Sequence, residues 1–433
     1  MTSDEQKPPG GEASRQPHWI PGQMGRRLYS MAALAERIEA AFIEEYGLDS
    51  PALREADTPA RRLKLVLGTA DYILAVESVQ LSTVEKADLV GRVYSDLFGY
   101  GPLDALFLDE RVTTIALEGA DQAAVRYGHD DLTALGAIFQ DEGHLRRVLK
   151  RLLRDAGAEL RDDQPYIETG LRVGDRPVGI NLVAPPVTLR LTADIRVHPA
   201  RLPDADSLVE SGFWTPQAGA LLKALAASPH GLIIVGEPES GKTTLLSLLA
   251  GWLPQPERAL AVERAGELRL PPQIERLAAR WPVGDAPGVS FGEQIGRALG
   301  LQPGCLLLDE VRADEPLSIA PLLTKPDAPR LIWSFRGPIF EKRLSSALGM
   351  LARRADMSQS EDMVRALYRR LPFVVTVNRL NGALRLWSIG EWQFKHSPDY
   401  PTYVPLMRIE SGELRLTGER PAQALDLPES FWG

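Results

Sequence analysis

The stretch Gly231-Leu232-Ile233-Ile234-Val235-Gly236-Glu237-Pro238-Glu239-Ser240-Gly241-Lys242-Thr243-Thr244-Leu245 decides the fold. Its first five residues are mostly apolar and read as a buried strand. The run Leu245, Leu246, Leu248 and Leu249 reads as a buried helix. Between them Gly236 to Thr243 spell G-x-x-x-x-G-K-T, the phosphate-binding loop. Gly236, Ser240, Gly241 and Thr244 belong to a backbone cradle whose N–H groups turn inward on a polyphosphate. Lys242 has the reach for β- and γ-phosphates, the Thr243 hydroxyl suits Mg²⁺, and the helix N-terminus adds positive potential. Glu237 and Glu239 put carboxylates in a loop built for anions, which is tolerable only if they point outward.

Downstream, residues 259–262 form an apolar strand with Glu263 at its end and Glu267 four residues on. Residues 291–299 read as a helix. Cys305-Leu306-Leu307-Leu308 is another apolar strand, and it ends in Asp309-Glu310. That is the acidic partner an ATPase sets beside its phosphate loop: Asp309 for the Mg²⁺ shell, Glu310 to orient and deprotonate the attacking water. The plainer alternative is a buried strand ending in exposed acids. Residues 331–335 give a further strand ending at Arg336. Hairpins are expected around Asn381-Gly382 and Ser411-Gly412. No histidine lies between His230 and His396, so this region has no imidazole, and the six histidines of the chain read as surface or packing residues.

Upstream, residues 1–25 are rich in Pro, Gly, Gln, Ser and charge and read as a disordered tail. Helical spacing from Arg26 to near Gly47, then over 60–78 and 82–98, predicts a bundle, with Ser82 and Glu85 as a capping box. A turn at Gly99-Tyr100-Gly101-Pro102-Leu103 leads into a strand over 112–117 and a helix near 144–156. Residues 165–197 alternate as strands, broken at Gly174-Asp175 and Pro185-Pro186. A linker is expected near 199–206, and a helix over 215–227 precedes the phosphate loop.

The chain of 433 residues is too long for one core. With 44% hydrophobic and 25% charged residues it has an ordinary globular composition. A net charge of −9 speaks against a surface that coats nucleic acid, so no direct nucleic-acid partner is expected. The single cysteine, Cys305, permits no internal disulfide and fits a reducing compartment. With no apolar run of about 18 residues and no signal peptide, a cytoplasmic protein is expected, its membrane association peripheral and through partners.

Further pieces give the order a recognisable form. Gly99-x-Gly101-Pro102-Leu103, Asp175-Arg176 before Ala184-Pro185-Pro186, and Ile195-Arg196 precede the phosphate loop. Glu257-Arg258 leading to Glu263, Glu267-Leu268, Glu310-Val311-Arg312 and Ser388-Ile389-Gly390-Glu391 follow it. In this order and spacing the chain resembles the secretion ATPases of the type II/type IV superfamily, most closely the CpaF-like ATPases of Tad (Flp) pilus systems. The resemblance implies an α/β fold: a RecA-like P-loop ATPase C-terminal domain, preceded by a small α+β N-terminal domain and a helical bundle. The expected divisions are 1–25 tail, 26–104 bundle, 105–200 α+β domain, 201–212 linker, 213–394 ATPase domain and 395–433 β-hairpin extension. It also implies a homohexameric ring on inner-membrane platform proteins, ATP and Mg²⁺ between the two domains, and motion that drives pilus assembly or secretion. Carried over by position, Lys242 and Thr243 bind phosphate and Mg²⁺. Glu263 is the acidic-box carboxylate, Glu310 the Walker B glutamate, and Arg176 and Arg196 are the N-terminal-domain arginines that approach the γ-phosphate.

The chain departs from that family in places. Glu237 and Glu239 replace loop glycines, Arg264 follows Glu263 where an acid is usual, and Asp309 replaces a glycine. The histidine boxes appear as Thr324-Lys325-Pro326 and Ser334-Phe335-Arg336-Gly337. Arg336 keeps a cation at the end of the same strand and is a candidate phosphate sensor. Two readings follow: a working ATP-hydrolysing motor, and a catalytically degenerate nucleotide-binding ring subunit acting as scaffold or regulator. A DNA-associated conjugation ATPase stands behind both.

Overall fold

The computed structural model describes residues 19–21, 28–47, 50–254, 258–312, 315–380, 382–395, 397 and 399–433. The expected tail lies mostly outside them, as do Glu257 and Asn381. Two compact units divide at Leu106/Phe107.

In the first unit, strands β1 (Trp19–Pro21) and β2 (Leu28–Ser30) pair antiparallel, so part of the expected tail is ordered backbone. Helices Met31–Tyr46, Pro59–Val76 and Thr83–Phe98 follow, with a short turn of helix at Pro51–Glu55. Leu34, Ile38 and Phe42 recur at helical spacing and pack with Val66, Ala70, Ile73, Leu89 and Val93 into one core. Ser82 and Glu85 form the expected capping box.

The second unit contains two sheets. The smaller holds β3 (Val112–Glu118), β4 (Gln122–Tyr127), β5 (Thr133–Gly136), β6 (Tyr166–Val173), β7 (Arg176–Val183) and β8 (Thr192–Val197), ordered β5-β4-β3-β8-β7-β6 and antiparallel throughout. Helix Glu142–Asp155 belongs to the same region and buries Leu145, Val148, Leu149 and Leu152. In β7 and β8, Val178, Ile180, Leu182, Ala193 and Ile195 are buried; the alternate residues Asp194 and Arg196 lie on the opposite face.

The larger sheet holds β9 (Leu232–Gly236), β10 (Ala259–Glu263), β11 (Glu275–Ala278), β12 (Cys305–Val311), β13 (Arg330–Arg336), β14 (Phe373–Leu380), β15 (Ala383–Gln393), β16 (Thr402–Glu410) and β17 (Glu413–Leu416). Its order is β11-β10-β12-β13-β9-β14-β15-β16-β17. The neighbours from β11 to β14 are parallel; β14 to β17 are antiparallel. Counted from the phosphate-loop strand, the parallel core runs 5-1-4-3-2 with one more strand outside it, the RecA-like arrangement. Helices cover both faces: Ile234, Ala261, Leu307 and Ile332 face Pro216–Ala227 and Lys242–Gly251, while Ile233, Val235, Leu260 and Leu306 face Phe291–Gly300 and Glu341–Ala355. Burial on both sides is why these strands read as continuous apolar runs. The hairpin at Ser411-Gly412 is present, with both residues at positive φ (52° and 86°), as a tight two-residue turn requires. No described helix is long and apolar enough to cross a membrane.

Candidate nucleotide site

Within the second unit, the open face of the small sheet lies over the carboxyl ends of the large sheet's strands, where open α/β sheets place their ligands. Close approach depends on a bare patch: Gly170 of β6 pairs with Gly179 of β7. A Cβ on Gly170 would stand 2.0 Å from the Ala265 carbonyl oxygen, and one on Gly179 would stand 1.6 Å from Glu267 Oε1. The resulting cleft is lined by the phosphate loop, Glu310, Thr114, Arg126, His129, Arg196, His198 and Arg379.

The phosphate-loop residues sit as their motif requires. Lys242 is buried, and its Nζ donates to the Glu237 carbonyl at 2.8 Å. Burial lowers its pKa. Thr243 Oγ1 lies 3.4 Å from Asp309 Oδ1, so the loop hydroxyl and the β12 acid face each other. Ser334 of β13 donates to the same Asp309 oxygen at 2.8 Å and accepts the Glu310 N–H at 2.7 Å. Burial first, then the nearby Glu267 carboxylate, pushes Asp309 up to about 6. A hydroxyl and a carboxylate oxygen are hard donors that fit Mg²⁺. Ser240 Oγ is buried without a hydrogen-bond partner, which leaves the loop a free polar group.

Glu310 sits where β12 loses register with β13, between Leu308 and Val311, and takes a left-handed φ of 56°. Such a backbone costs a non-glycine residue about 1–3 kcal/mol and persists only where its surroundings fix it. Ser334 fixes the N–H, and Arg264 Nε donates to the Glu310 carbonyl at 3.0 Å. Arg264, which stands where an acid was expected, thus braces the Glu310 backbone. The Glu310 carboxylate lines the cleft, 3.3 Å from Arg312 Nη2 and 4.0 Å from Arg196 Nη1. Arg312 also pairs with Glu168 of the small sheet; burial opposes its charge, but Glu168 outweighs that and raises its pKa.

Three expected site residues are placed elsewhere. Arg176 points into the base of the small sheet and donates to four backbone carbonyls, of His198 (3.0 Å), Phe107 (3.1 Å), Asp109 (2.7 Å) and Val112 (2.5 Å). Its guanidinium is consumed by chain organisation and is not among the cleft residues. Glu263 is fully buried, accepts the Leu268 N–H at 2.8 Å and lies 2.5 Å from Arg276 Nε. Burial pushes it up to about 7, and it anchors the loop that carries Glu267. Arg336 pairs in register with Gly236, but its side chain is exposed and outside the cleft lining. Arg196, in contrast, lies in the cleft as expected.

The reading of all histidines as surface or packing residues is also corrected. His129 and His198, just past the ends of β4 and β8, both line the cleft. Burial disfavours a charged His198, but Glu267 Oε2, 3.4 Å from Nε2, outweighs it and raises the imidazole's pKa. Burial likewise opposes the charge on Glu267, and His198 first, then Arg196, holds it down at about 2. The signal that could have found His198 is its place two residues beyond Arg196, just past the end of β8. Arg126 and Arg379 carried no such mark. Glu237 is exposed as the loop demands; Glu239 is not turned out but directed onto the small sheet.

Residues 107–322 match the family model described as type II/IV secretion system protein. A putative conjugal transfer protein of Mycobacterium tuberculosis is 30% identical over 231 residues, 52% of this chain and 65% of that protein. The type IV secretion system protein PtlH of Bordetella pertussis is 26% identical over 205 residues, 42% of this chain and 59% of that protein. The chain thus spans about two thirds or less of the length of these relatives. Among solved structures, the VirB11 ATPase of the Brucella suis type IV secretion system is similar at 19% identity and a TM-score of 0.34, covering 70% of this chain and 96% of that one.

Proposed function

Because this chain belongs to the type II/IV secretion ATPase superfamily, we propose that it hydrolyses ATP in this cleft and couples turnover to assembly of a Tad-like pilus or to protein secretion. The observation that carries the reading is the linked set Lys242, Thr243, Asp309, Ser334 and Glu310 around one phosphate loop. Lys242 holds the β- and γ-phosphates. Thr243 and Asp309 would hold Mg²⁺, which would supply charge neutralisation on the phosphate oxygens. Glu310 orients a water and takes its proton as the water oxygen bonds to the γ-phosphorus; the bond to the bridging oxygen breaks and ADP leaves. Arg196, facing Glu310, stabilises the charge on the transferring phosphoryl group.

The names of the Bordetella and mycobacterial relatives favour a place in an envelope-spanning transfer machine. In this reading the chain forms a homohexamer at the inner face of the cytoplasmic membrane, on platform proteins and without direct nucleic-acid contact. The second reading, a ring subunit that binds nucleotide without turning it over, draws on the two arginines that share Glu310. Glu310→Gln separates them. In a motor it abolishes turnover and retains ATP; a wild type that never turns ATP over favours the scaffold.

A further inference from the structure

The least ordinary feature of the cleft is the carboxylate inside its phosphate loop. Glu239 has a left-handed φ of 58°, a conformation L residues adopt only when held. Both of its oxygens are held by the small sheet: Oε1 accepts from Thr114 Oγ1 at 2.9 Å, and Oε2 pairs with the Arg126 guanidinium. A carboxylate gripped at once by a guanidinium and a hydroxyl makes the contacts that two oxygens of a phosphate would make. Arg126 is only partly satisfied by it, since its buried Nε has no hydrogen-bond partner. Four cationic side chains, Arg126, Arg196, Lys242 and Arg379, line the cleft against the carboxylates of Glu239 and Glu310. Displacing Glu239 would therefore expose an excess of positive charge suited to a triphosphate.

We propose that Glu239 is an internal stand-in for the terminal phosphate: it occupies Arg126 and Thr114 until ATP takes its place, which makes Arg126 a second residue, beside Arg196, through which the small sheet meets the γ-phosphate. This rests on the cleft being a nucleotide site. It gives the loop carboxylate a purpose that mere tolerance does not. ADP lacks the group that competes with Glu239, so the latch between loop and small sheet re-forms when the γ-phosphate leaves.

The test is a coupling measurement by calorimetry, using the β,γ-imido analogue of ATP, ADP and Mg²⁺ with the full chain. Glu239→Gln should tighten analogue binding about tenfold, within the usual range of coupling between sites, and ADP binding much less. With Arg126→Gln also present, that gain should vanish, because no guanidinium is left to release. A gain equal or larger in the Arg126→Gln background would mean simple charge repulsion and would overturn the proposal. If Arg126→Gln does not fold, Thr114→Val replaces it, and a gain undiminished there overturns the proposal equally. Wild type and Glu239→Gln that bind neither nucleotide, or that bind no better than Lys242→Ala, would instead remove the nucleotide reading itself.

Discussion

Ser334 satisfies two buried groups at once, the Asp309 carboxylate and the Glu310 N–H. Removing its hydroxyl leaves both short of a partner at a site with no exposure. Ser334→Ala should lower stability by about 1–3 kcal/mol in urea unfolding; an unchanged midpoint would mean that the hydroxyl does not hold the acidic loop. Arg176 makes the complementary point. Its variants Lys and Ala lose a planar array of donors to four carbonyls, so they should melt well below wild type, the loss falling on stability. His198 and Glu267 give a pH dependence whose sign is fixed by their opposite shifts. The raised imidazole contributes fully below its ordinary value of about 6.5 and loses its contribution as pH rises through its higher folded value. The depressed Glu267 fails only as pH falls towards about 2. The melting advantage of wild type over His198→Gln should therefore be present at pH 6 and shrink by pH 9; an advantage that grows with pH would contradict the pair.

At the scale of elements, the decisive contact is between the β6–β7 hairpin and the loop after β10. Gly170 faces the backbone oxygen of Ala265, which has no flexible end to move aside, whereas Gly179 faces the tip of Glu267. Gly170→Ala should thus cost about 1–3 kcal/mol by overpacking, measured by thermal unfolding. Gly179→Ala should leave the fold intact and displace Glu267 from His198; equal penalties at both would mean that the sheets do not meet this closely. These elements also show what sequence conveys. Strands 232–236, 259–263 and 305–311 were legible because burial on both faces writes an apolar run. The short strands β4 and β5 went unassigned, and with them Arg126: β4 alternates over only six residues, and β5 is exposed along its length. Arg176 and Arg196 look equivalent as letters. Only the register separates them, since Arg176 opens β7 and turns to the chain's own carbonyls while Arg196 faces the cleft. Glu263 was misplaced for a related reason: a strand-end acid next to a phosphate loop reads as catalytic until its burial and its ion pair with Arg276 are seen.

At the scale of the whole molecule, two sheets of one unit meet around one cleft. The small sheet brings arginines and histidines; the large sheet brings the phosphate loop and the two acids. A ligand bound there would touch both sheets. In the proposed ring the purified protein should run as a particle of about six chains when nucleotide is present, by light scattering, and a monomer under all conditions would contradict the ring. The most direct test of the central claim is ATP turnover by the purified chain with Mg²⁺, beside Lys242→Ala and Glu310→Gln. Wild type should release phosphate and neither variant should, while of the two variants Glu310→Gln alone should retain ATP. Turnover that survives loss of Lys242 or Glu310 would contradict the central claim, because the chemistry would then lie outside this cleft.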